Sequence, residues 1–272
     1  AASDVYKRQA LYRRKFTVSA PVANAKQAGG SVSIMFHGMA TAIYVWVNGA
    51  FVGYGEDGFT PNEFDITGLL HDGENVVAVA CYEYSSASWL EDQDFFRFFG
   101  IFRNVTLKAI PDVHLEDVWF KPVLNQDNES GSVSVSMKVS ATDSQNVTAG
   151  FILKDREENI LVEKSLQLNK ENNHLEGTIC VNLESVRLWD NHNPYLYHAY
   201  VELKAEDGSL AEVIPYDIGF RRIEIIDKVV YLNGKRLVIT GVNRHEWNAR
   251  TGRCIGIEAV SYTHLRAHET LR

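Results

Sequence analysis

The chain has 272 residues, of which 45% are hydrophobic, 11% aromatic and 23% charged. This composition is that of an ordinary globular protein and excludes the disordered and fibrous classes. The 27 basic and 35 acidic residues leave a net charge of −8. That balance argues against nucleic-acid binding, which needs a basic face to neutralise phosphates. No apolar run reaches the ~18 residues of a membrane span, so no membrane partner is predicted, and the length suits about two domains.

The three cysteines, Cys81, Cys180 and Cys254, are far apart and show no metal-ligand spacing. Their plain interpretation is as reduced, mostly buried thiols of a cytoplasmic protein. The two ends, residues 1–9 and 260–272, resemble translated sequencing adaptors and continue no strand or helix pattern. We therefore expect both ends to be non-native and to have no functional role.

Short apolar strands separated by turns fill residues 11–110. Ala42–Val47 is followed by Asn48 and Gly49 and then at once by another β-rich run, and Asn-Gly between two strands is typical of a tight hairpin. Residues 59–70 contain a proline, which predicts a loop leading into a short turn. Strands at this spacing predict a β-sandwich.

About seven strands with period-two alternation follow between residues 111 and 221, beginning with a linker and a first strand at 111–122. Their number and length predict an immunoglobulin-like sandwich, although the Cys…Trp…Cys spacing of antibody domains is absent. Beyond residue 222, Asn233 and Gly234 predict another tight turn, and residues 236–241 predict a buried strand. A polar cluster follows that strand, as it does in (β/α) barrels where the strand ends carry the chemistry.

The segment 89–97 (WLEDQDFFR) places Glu91, Asp92 and Asp94 among aromatic side chains. Aromatic walls beside carboxylates are typical of sugar sites, because a pyranose has apolar faces and a rim of hydroxyl groups. Carboxylate oxygens also suit a hard cation. The alternative is an acidic surface loop over an aromatic core, with Arg97 as a local ion-pair partner, and spacing alone favours this alternative.

The segment 241–246 (GVNRHE) also has two interpretations. The first is a functional site at the end of a strand. The second is a buried polar network in which Arg244 and Glu246 form an ion pair and His245 is hydrogen-bonded inside the protein. The residues alone support the two equally.

Several longer stretches carry a family resemblance. They are residues 42–54 (AIYVWVNGAFVGY), 61–70 (PNEFDITGLL), 89–103 (WLEDQDFFRFFGIFR), 217–221 (DIGFR) and 232–246 (LNGKRLVITGVNRHE). Through them the chain resembles glycoside hydrolase family 2, and within it the large bacterial β-galactosidases, over about residues 10–258. WLEDQD…GIFR is specific to the β-galactosidase branch, whereas LNGK…GVNRHE is shared with β-glucuronidase-like members.

The resemblance implies a mainly β architecture. It places a jelly-roll (galactose-binding-like) sugar-binding domain at 10–110, an immunoglobulin-like sandwich at 111–221 and the first strand of a truncated (β/α)8 barrel at 222–258. It also implies retaining hydrolysis of terminal β-D-galactosides of the lactose type by two glutamates, an acid/base and a nucleophile. In the family both glutamates and the magnesium ligands lie beyond this chain. We therefore expect no catalytic residue here and no activity of this chain alone.

One active-site residue is carried over by the resemblance. Asp94 matches the last aspartate of LEDQD, which in the family reaches the barrel mouth and contacts galactose and a bound sodium ion. His245 and Glu246 match positions near the cavity floor, behind the residues that touch the sugar. Many family members have histidines directly after GVNRHE, but this chain has Trp247 and Asn248 there. No sugar contact is therefore transferred to that segment.

The resemblance further implies a cytoplasmic homo-oligomer that uses magnesium and sodium and has a β-galactoside as its partner. Two alternatives stay open. The first is another family 2 glycosidase, such as a β-glucuronidase or β-mannosidase, and WLEDQDFF argues against it. The second is a stand-alone carbohydrate-binding module. The strand within LNGK…GVNRHE argues against a module, because it would expose an unpaired apolar edge.

Overall fold

A computed structural model of the chain describes residues 8–90, 98–141, 146–171, 174–239, 241 and 247–259. Strands dominate these residues, which confirms the predicted mainly β class. The chain divides into two compact units, residues 1–110 with 242–272 and residues 111–241. No helix of the described residues is long and apolar enough to cross a membrane.

The first unit has nine strands in its described part. They are β1 (Gln9–Thr17), β2 (Ser31–Phe36), β3 (Met39–Ala40), β4 (Ala42–Val47), β5 (Ala50–Gly55), β6 (Asn62–Asp65), β7 (Glu74–Tyr82), β8 (Gly100–Ile101) and β9 (Val105–Ile110). The helix α1 (Ala20–Gln27) and the 3-10 helices Thr67–Leu69 and Ser86–Trp89 also belong to this unit. The helix α1 was not predicted from the sequence, although a proline in its first turn is a typical helix-start signal.

Two antiparallel sheets of the first unit enclose its core. One has the strand order β1-β7-β4-β5 and the other the order β6-β2-β9. Ile43 and Val45 of β4 share a buried cluster with Val32 and Ile34 of β2. Side chains alternate along a strand, so the residues of β4 between these, such as Tyr44, point to the outer face of the sheet.

The predicted loop at residues 59–70 is wrong in part. Residues 62–65 form β6, which pairs with β2 so that Phe64 lies opposite Ile34. Pro61 stands just before the strand, where its missing N–H removes no hydrogen bond from the ladder. The proline therefore marks the start of a strand rather than a continuous loop.

The second unit has eleven strands in its described part. They are β10 (His114–Leu124), β11 (Gly131–Ser140), β12 (Thr148–Lys154), β13 (Ile160–Gln167), β14 (Asn169–Glu171), β15 (His174–Leu183), β16 (Tyr197–Lys204), β17 (Leu210–Ile218), β18 (Ile223–Ile226), β19 (Val229–Leu232) and β20 (Lys235–Arg236). The first eight form two four-stranded sheets, ordered β10-β11-β15-β14 and β13-β12-β16-β17. Inward side chains of both sheets, including Val135 and Phe151, share one core. This is the predicted immunoglobulin-like sandwich, with the short β14 added to the seven predicted strands.

The predicted buried strand at 236–241 is wrong. The strands β18, β19 and β20 form a small antiparallel sheet, and β20 ends at Arg236. Val238 and Ile239 are 69% and 82% exposed. A run of apolar residues is buried only where another layer covers it, and no strand of the described chain pairs with these two residues.

Both predicted Asn-Gly turns are confirmed. Asn48 and Gly49 have φ values of 51° and 86°, and Asn233 and Gly234 have values of 51° and 77°. Positive φ at both central positions is what a type I′ hairpin turn requires, and Asn and Gly tolerate it best.

The prediction of reduced cysteines is confirmed, but the prediction that most of them are buried is wrong. All three cysteines are free thiols. Cys81 is buried, but Cys180 and Cys254 are exposed, so most of these thiols are not buried. Cys180 lies on β15 opposite Ser134 of β11, where the alternation of the strand turns its side chain away from the core.

Candidate functional site

The residues predicted for the site lie outside the described part of the chain. These are Asp94, His245 and Glu246, together with Arg97 and Arg244 of the alternative interpretations. The described residues that flank the acidic segment 91–97 and the segment 242–246 show which elements lead into and out of them.

The residues before the acidic segment are hydrogen-bonded to the end of β5 and to the residue that follows it. The hydroxyl of Ser86 donates to the two carboxylate oxygens of Glu56 at 2.7 and 2.8 Å. The hydroxyl of Tyr54 donates to the same carboxylate. Partial burial, together with this hydrogen bond, raises the pKa of Tyr54, so its hydroxyl remains a donor. The chain thus enters the acidic segment from an anchored 3-10 helix.

The residues after the acidic segment are anchored by a short strand pair. Ile101 of β8 lies opposite Met39 of β3. Gly100 has a φ of 119°, and a Cβ there would lie 2.8 Å from the hydroxyl oxygen of Tyr12. Glycine is the residue that meets both demands, because it has no Cβ and adopts positive φ without strain. Both ends of the acidic segment are therefore held by strands of the first unit.

The flanks of the two predicted segments meet. Phe98 follows the acidic segment directly, and Trp247 follows the segment 242–246 directly. Their ring centroids are 6.4 Å apart with an interplanar angle of 38°. This distance is within the range of interacting aromatic pairs. The structure therefore brings together the ends of two segments that are about 150 residues apart in sequence.

The first unit also has a cavity of about 620 Å³, whose lining includes His37, Arg103, Arg253 and Cys254. The guanidinium of Arg103 donates to the carbonyl of Phe59 at 3.0 Å and to that of His37 at 3.3 Å. The guanidinium of Arg253 lies 5.1 Å from the ring centroid of Phe59. The guanidinium of Arg103 lies 6.0 Å from the same centroid, so two cationic groups lie near one aromatic ring.

The segment that follows Trp247 forms one side of the cavity, because Arg253, Cys254, Ile255 and Gly256 line it. The thiol of Cys254 donates to the carbonyl of Phe102 at 2.8 Å. Arg103 and Arg253 are the only Lys, Arg, Asp or Glu side chains in the described lining of the cavity. Guanidinium groups donate hydrogen bonds to hydroxyl and carboxylate oxygens, which makes the cavity suited to a polar, oxygen-rich group.

No role was predicted for Arg103 or Arg253 from the sequence. Arg103 stands in the GIFR part of a stretch that already carried the family resemblance, which is the signal that could have identified it. Arg253 has no such signal, because its place beside Phe59 depends on a contact across the fold.

The predicted cofactors are sodium and magnesium, and the described residues supply no ligand set for either ion. Within those ranges no three His, Cys, Asp or Glu side chains are placed to hold a metal ion. The predicted sodium ligand, Asp94, lies outside them. Sodium and magnesium are therefore supported by the family resemblance alone.

Family models match the chain in three consecutive stretches. Residues 2–111 match the sugar binding domain of glycosyl hydrolases family 2. Residues 113–221 match the model named for glycosyl hydrolases family 2, and residues 223–266 match the family 2 TIM barrel domain.

Curated relatives are similar over most of the chain. The β-galactosidase large subunit of Lactobacillus acidophilus is 47% identical over 225 residues, which are 82% of this chain and 35% of that protein. The β-galactosidase of Streptococcus thermophilus is 44% identical over 248 residues, which are 90% of this chain and 23% of that protein. The chain thus spans about a quarter to a third of the length of these relatives.

Solved structures are similar at lower identity. A Bacteroides uniformis β-glucuronidase superposes with a TM-score of 0.80 and 21% identity, covering 96% of this chain and 32% of that protein. A Bifidobacterium dentium β-glucuronidase gives a TM-score of 0.75 and 23% identity, covering 94% and 47%. At these identities the likeness shows a shared fold.

Proposed function

Because this chain belongs to glycosyl hydrolase family 2, we propose that it supplies the β-domains of a retaining β-galactosidase that hydrolyses terminal β-D-galactosides. The observation that carries this proposal is its identity of 47% and 44% to two proteins named β-galactosidase. The β-glucuronidases among the solved structures are 21% and 23% identical, so they support the fold and not a glucuronide substrate.

In this proposal two glutamates of the barrel, outside this chain, cleave the glycosidic bond by double displacement. One protonates the leaving oxygen, and the other forms a covalent galactosyl intermediate that water then hydrolyses. This chain contributes Asp94, whose carboxylate accepts hydrogen bonds from galactose hydroxyls. His245 and Glu246 support the floor of the cavity. The anchoring of both ends of the acidic segment supports this role, because a sugar contact needs a fixed position.

The remaining features of the proposed enzyme follow from the family. We propose that its domains are a jelly-roll domain at 10–110, an immunoglobulin-like domain at 111–221 and the beginning of a barrel at 222–258. Asp94 would supply one oxygen ligand to sodium, and magnesium would be held by residues outside this chain. The three free thiols favour a reducing, cytoplasmic location. A homo-oligomeric state of the whole protein is also proposed.

A chimera tests the proposal. The part of the Streptococcus thermophilus relative that matches this chain would be replaced by this chain's residues, and kcat/KM would be measured on nitrophenyl β-galactoside and β-glucuronide. We expect hydrolysis of the galactoside only. Asp94→Ala in the chimera should lower kcat/KM roughly 10- to 100-fold, since a hydrogen bond to a charged group is lost.

The matched control is Asp72→Ala. Asp72 is an exposed turn residue of the same unit, and its replacement should leave kcat/KM unchanged. A folded chimera that hydrolyses only the glucuronide would contradict the proposed substrate. Equal kcat/KM for the chimera and its Asp94→Ala variant would contradict the role given to Asp94.

A further inference from the structure

Two contacts in the first unit join the stretch after the acidic segment to the stretch after the segment 242–246. The ring of Trp247 packs on that of Phe98, with 6.4 Å between their centroids. Further along both stretches, the thiol of Cys254 donates to the carbonyl of Phe102 at 2.8 Å. These four residues are called the junction below. The junction lies directly beyond the ends of both predicted site segments.

Backbone hydrogen bonds hold the side of the junction that follows the acidic segment. The N–H groups of Phe102 and Arg103 both donate to the carbonyl of Gly38, at 3.2 and 3.3 Å. One residue earlier, Ile101 of β8 lies opposite Met39 of β3. The stretch that contains Phe102 is therefore fixed to the strands of the first unit.

A closed turn holds the other side of the junction. Asn248 and Gly252 exchange backbone hydrogen bonds at 2.8 and 2.9 Å. After this turn, the guanidinium of Arg253 lies 5.1 Å from the ring centroid of Phe59. Trp247 directly precedes the turn, so its backbone is connected to a compact element that packs on the first unit.

The Phe98–Trp247 contact restricts the relative position of the two predicted site segments. Trp247 directly follows Glu246, and Asp94 stands four residues before Phe98. A chain of four residues spans at most about 14 Å, so the place of Phe98 limits where Asp94 can lie. Aromatic pairs at this separation stabilise their arrangement beyond the effect of burial alone. The two segments are therefore linked at their ends by a specific contact.

We propose that Trp247 is a positioning residue for Asp94 and, by packing on Phe98, sets the affinity of the enzyme for its galactoside. The inference rests on the proposed function, in which the carboxylate of Asp94 accepts hydrogen bonds from sugar hydroxyls. Such bonds depend steeply on distance and angle, so a small displacement of the carboxylate weakens them. In the proposed function itself, Trp247 has no role.

The alternative is that the Phe98–Trp247 contact only stabilises the fold, and the two roles predict different kinetics. Loss of fold stability lowers the concentration of active enzyme, which lowers the apparent kcat and leaves KM unchanged. Loss of positioning weakens binding of the substrate, which raises KM. The separate values of kcat and KM therefore distinguish positioning from a purely structural role.

The chimera with the Streptococcus thermophilus relative tests the inference. Trp247→Ala should raise KM for nitrophenyl β-galactoside roughly 2- to 10-fold, the range expected for loss of an aromatic pair. Phe98→Ala removes the other ring and should raise KM to a similar extent. Trp247→Phe keeps a ring at this place, so its KM should stay within about twofold of the parent value.

A double-mutant cycle shows whether Trp247 acts through Asp94. In a chimera that already carries Asp94→Ala, Trp247→Ala should raise KM no further, because the side chain that it positions is absent. A rise of equal size with and without Asp94 would overturn the inference. So would a KM for Trp247→Ala that equals the parent value.

The control is Trp119→Ala, which removes a 57% exposed tryptophan of the second unit and should leave KM unchanged. The proposed function fails in a different way. If Asp94→Ala alone has the kcat and KM of the parent, the role of Asp94 is refuted and the positioning role of Trp247 is refuted with it. If Asp94→Ala weakens hydrolysis and Trp247→Ala does not, only the inference is refuted.

Hydrogen exchange of the chain itself tests the junction without turnover. Trp247→Ala should speed amide exchange in the peptide that covers residues 98–103, because the contact that holds the start of this stretch is lost. Trp119→Ala should leave the exchange of this peptide unchanged. Exchange at the parent rate in Trp247→Ala would show that the contact does not fix the end of the acidic segment, and it would refute the inference.

Discussion

Asn233 shows how one residue can serve both local and long-range structure. Its backbone N–H donates to the carbonyl of Arg222 at 2.8 Å, and its side-chain oxygen accepts from the N–H of Arg222 at 2.9 Å. Its side-chain N–H donates to the carbonyl of Trp189 at 3.1 Å, and its own carbonyl accepts from Asn128 at 3.1 Å. The turn was predictable from the Asn-Gly pair, but these four bonds were not, because their partners are between 11 and 105 residues away.

We expect Asn233→Ala to lower the free energy of unfolding by about 2–4 kcal/mol. It removes two hydrogen bonds and places a Cβ-bearing residue without turn preference at positive φ. Asn233→Gly removes the same bonds but keeps the backbone unstrained, so it should cost less. Urea denaturation measures both. Asn182→Ala, at an exposed strand position, is the control and should stay within about 0.5 kcal/mol of the parent. A similarly small effect of Asn233→Ala would contradict this role.

At the scale of elements, aspartates shape the turns of the second unit. Asp127, Asp155, Asp190 and Asp207 each accept hydrogen bonds from backbone N–H groups two to four residues later. These bonds favour the ionised carboxylate, and the pKa of each of the four is lowered. The turns are therefore stabilised by charge above the titration range of the carboxylates.

Asp127 provides the pH test of this stabilisation. Hydrogen bonds from the Ser130 hydroxyl and from the N–H groups of Ser130 and Glu129 lower the pKa of Asp127 from 3.8 to about 2. The folded-state pKa is below the unfolded one, so the stabilisation is complete above about pH 4 and is lost as pH falls towards 2. Asp127→Asn should therefore lower the urea midpoint at pH 6 and have little effect near pH 2.

The control is Asp117→Asn. Asp117 is exposed on β10 and accepts no hydrogen bond from the described chain, so its replacement should leave the midpoint unchanged at both pH values. A midpoint difference for Asp127→Asn that stays constant from pH 6 to pH 2 would refute the proposed linkage.

At the scale of the whole molecule, the chain contains two separate hydrophobic cores. One is drawn from residues 10–109 and the other from residues 113–220. The match to the barrel model covers only residues 223–266. A complete (β/α)8 barrel needs about 250 residues and places its active site at the ends of several strands.

We therefore expect the chain alone to hydrolyse nitrophenyl β-galactoside at the background rate. The two glutamates that double displacement requires belong to the barrel in the proposed enzyme. The assay compares the chain with buffer and with its Asp94→Ala variant. Turnover well above background that Asp94→Ala abolishes would overturn this expectation.

Local patterns in the sequence determined the mainly β class, the immunoglobulin-like sandwich and both Asn-Gly turns, because alternation and turn dihedrals depend on neighbouring residues. Tertiary structure decided which strands lie side by side. It left Val238 and Ile239 exposed, joined Phe98 to Trp247 and set Phe64 opposite Ile34. These features depend on contacts between residues that are far apart in the chain, and local alternation and turn signals do not specify such contacts.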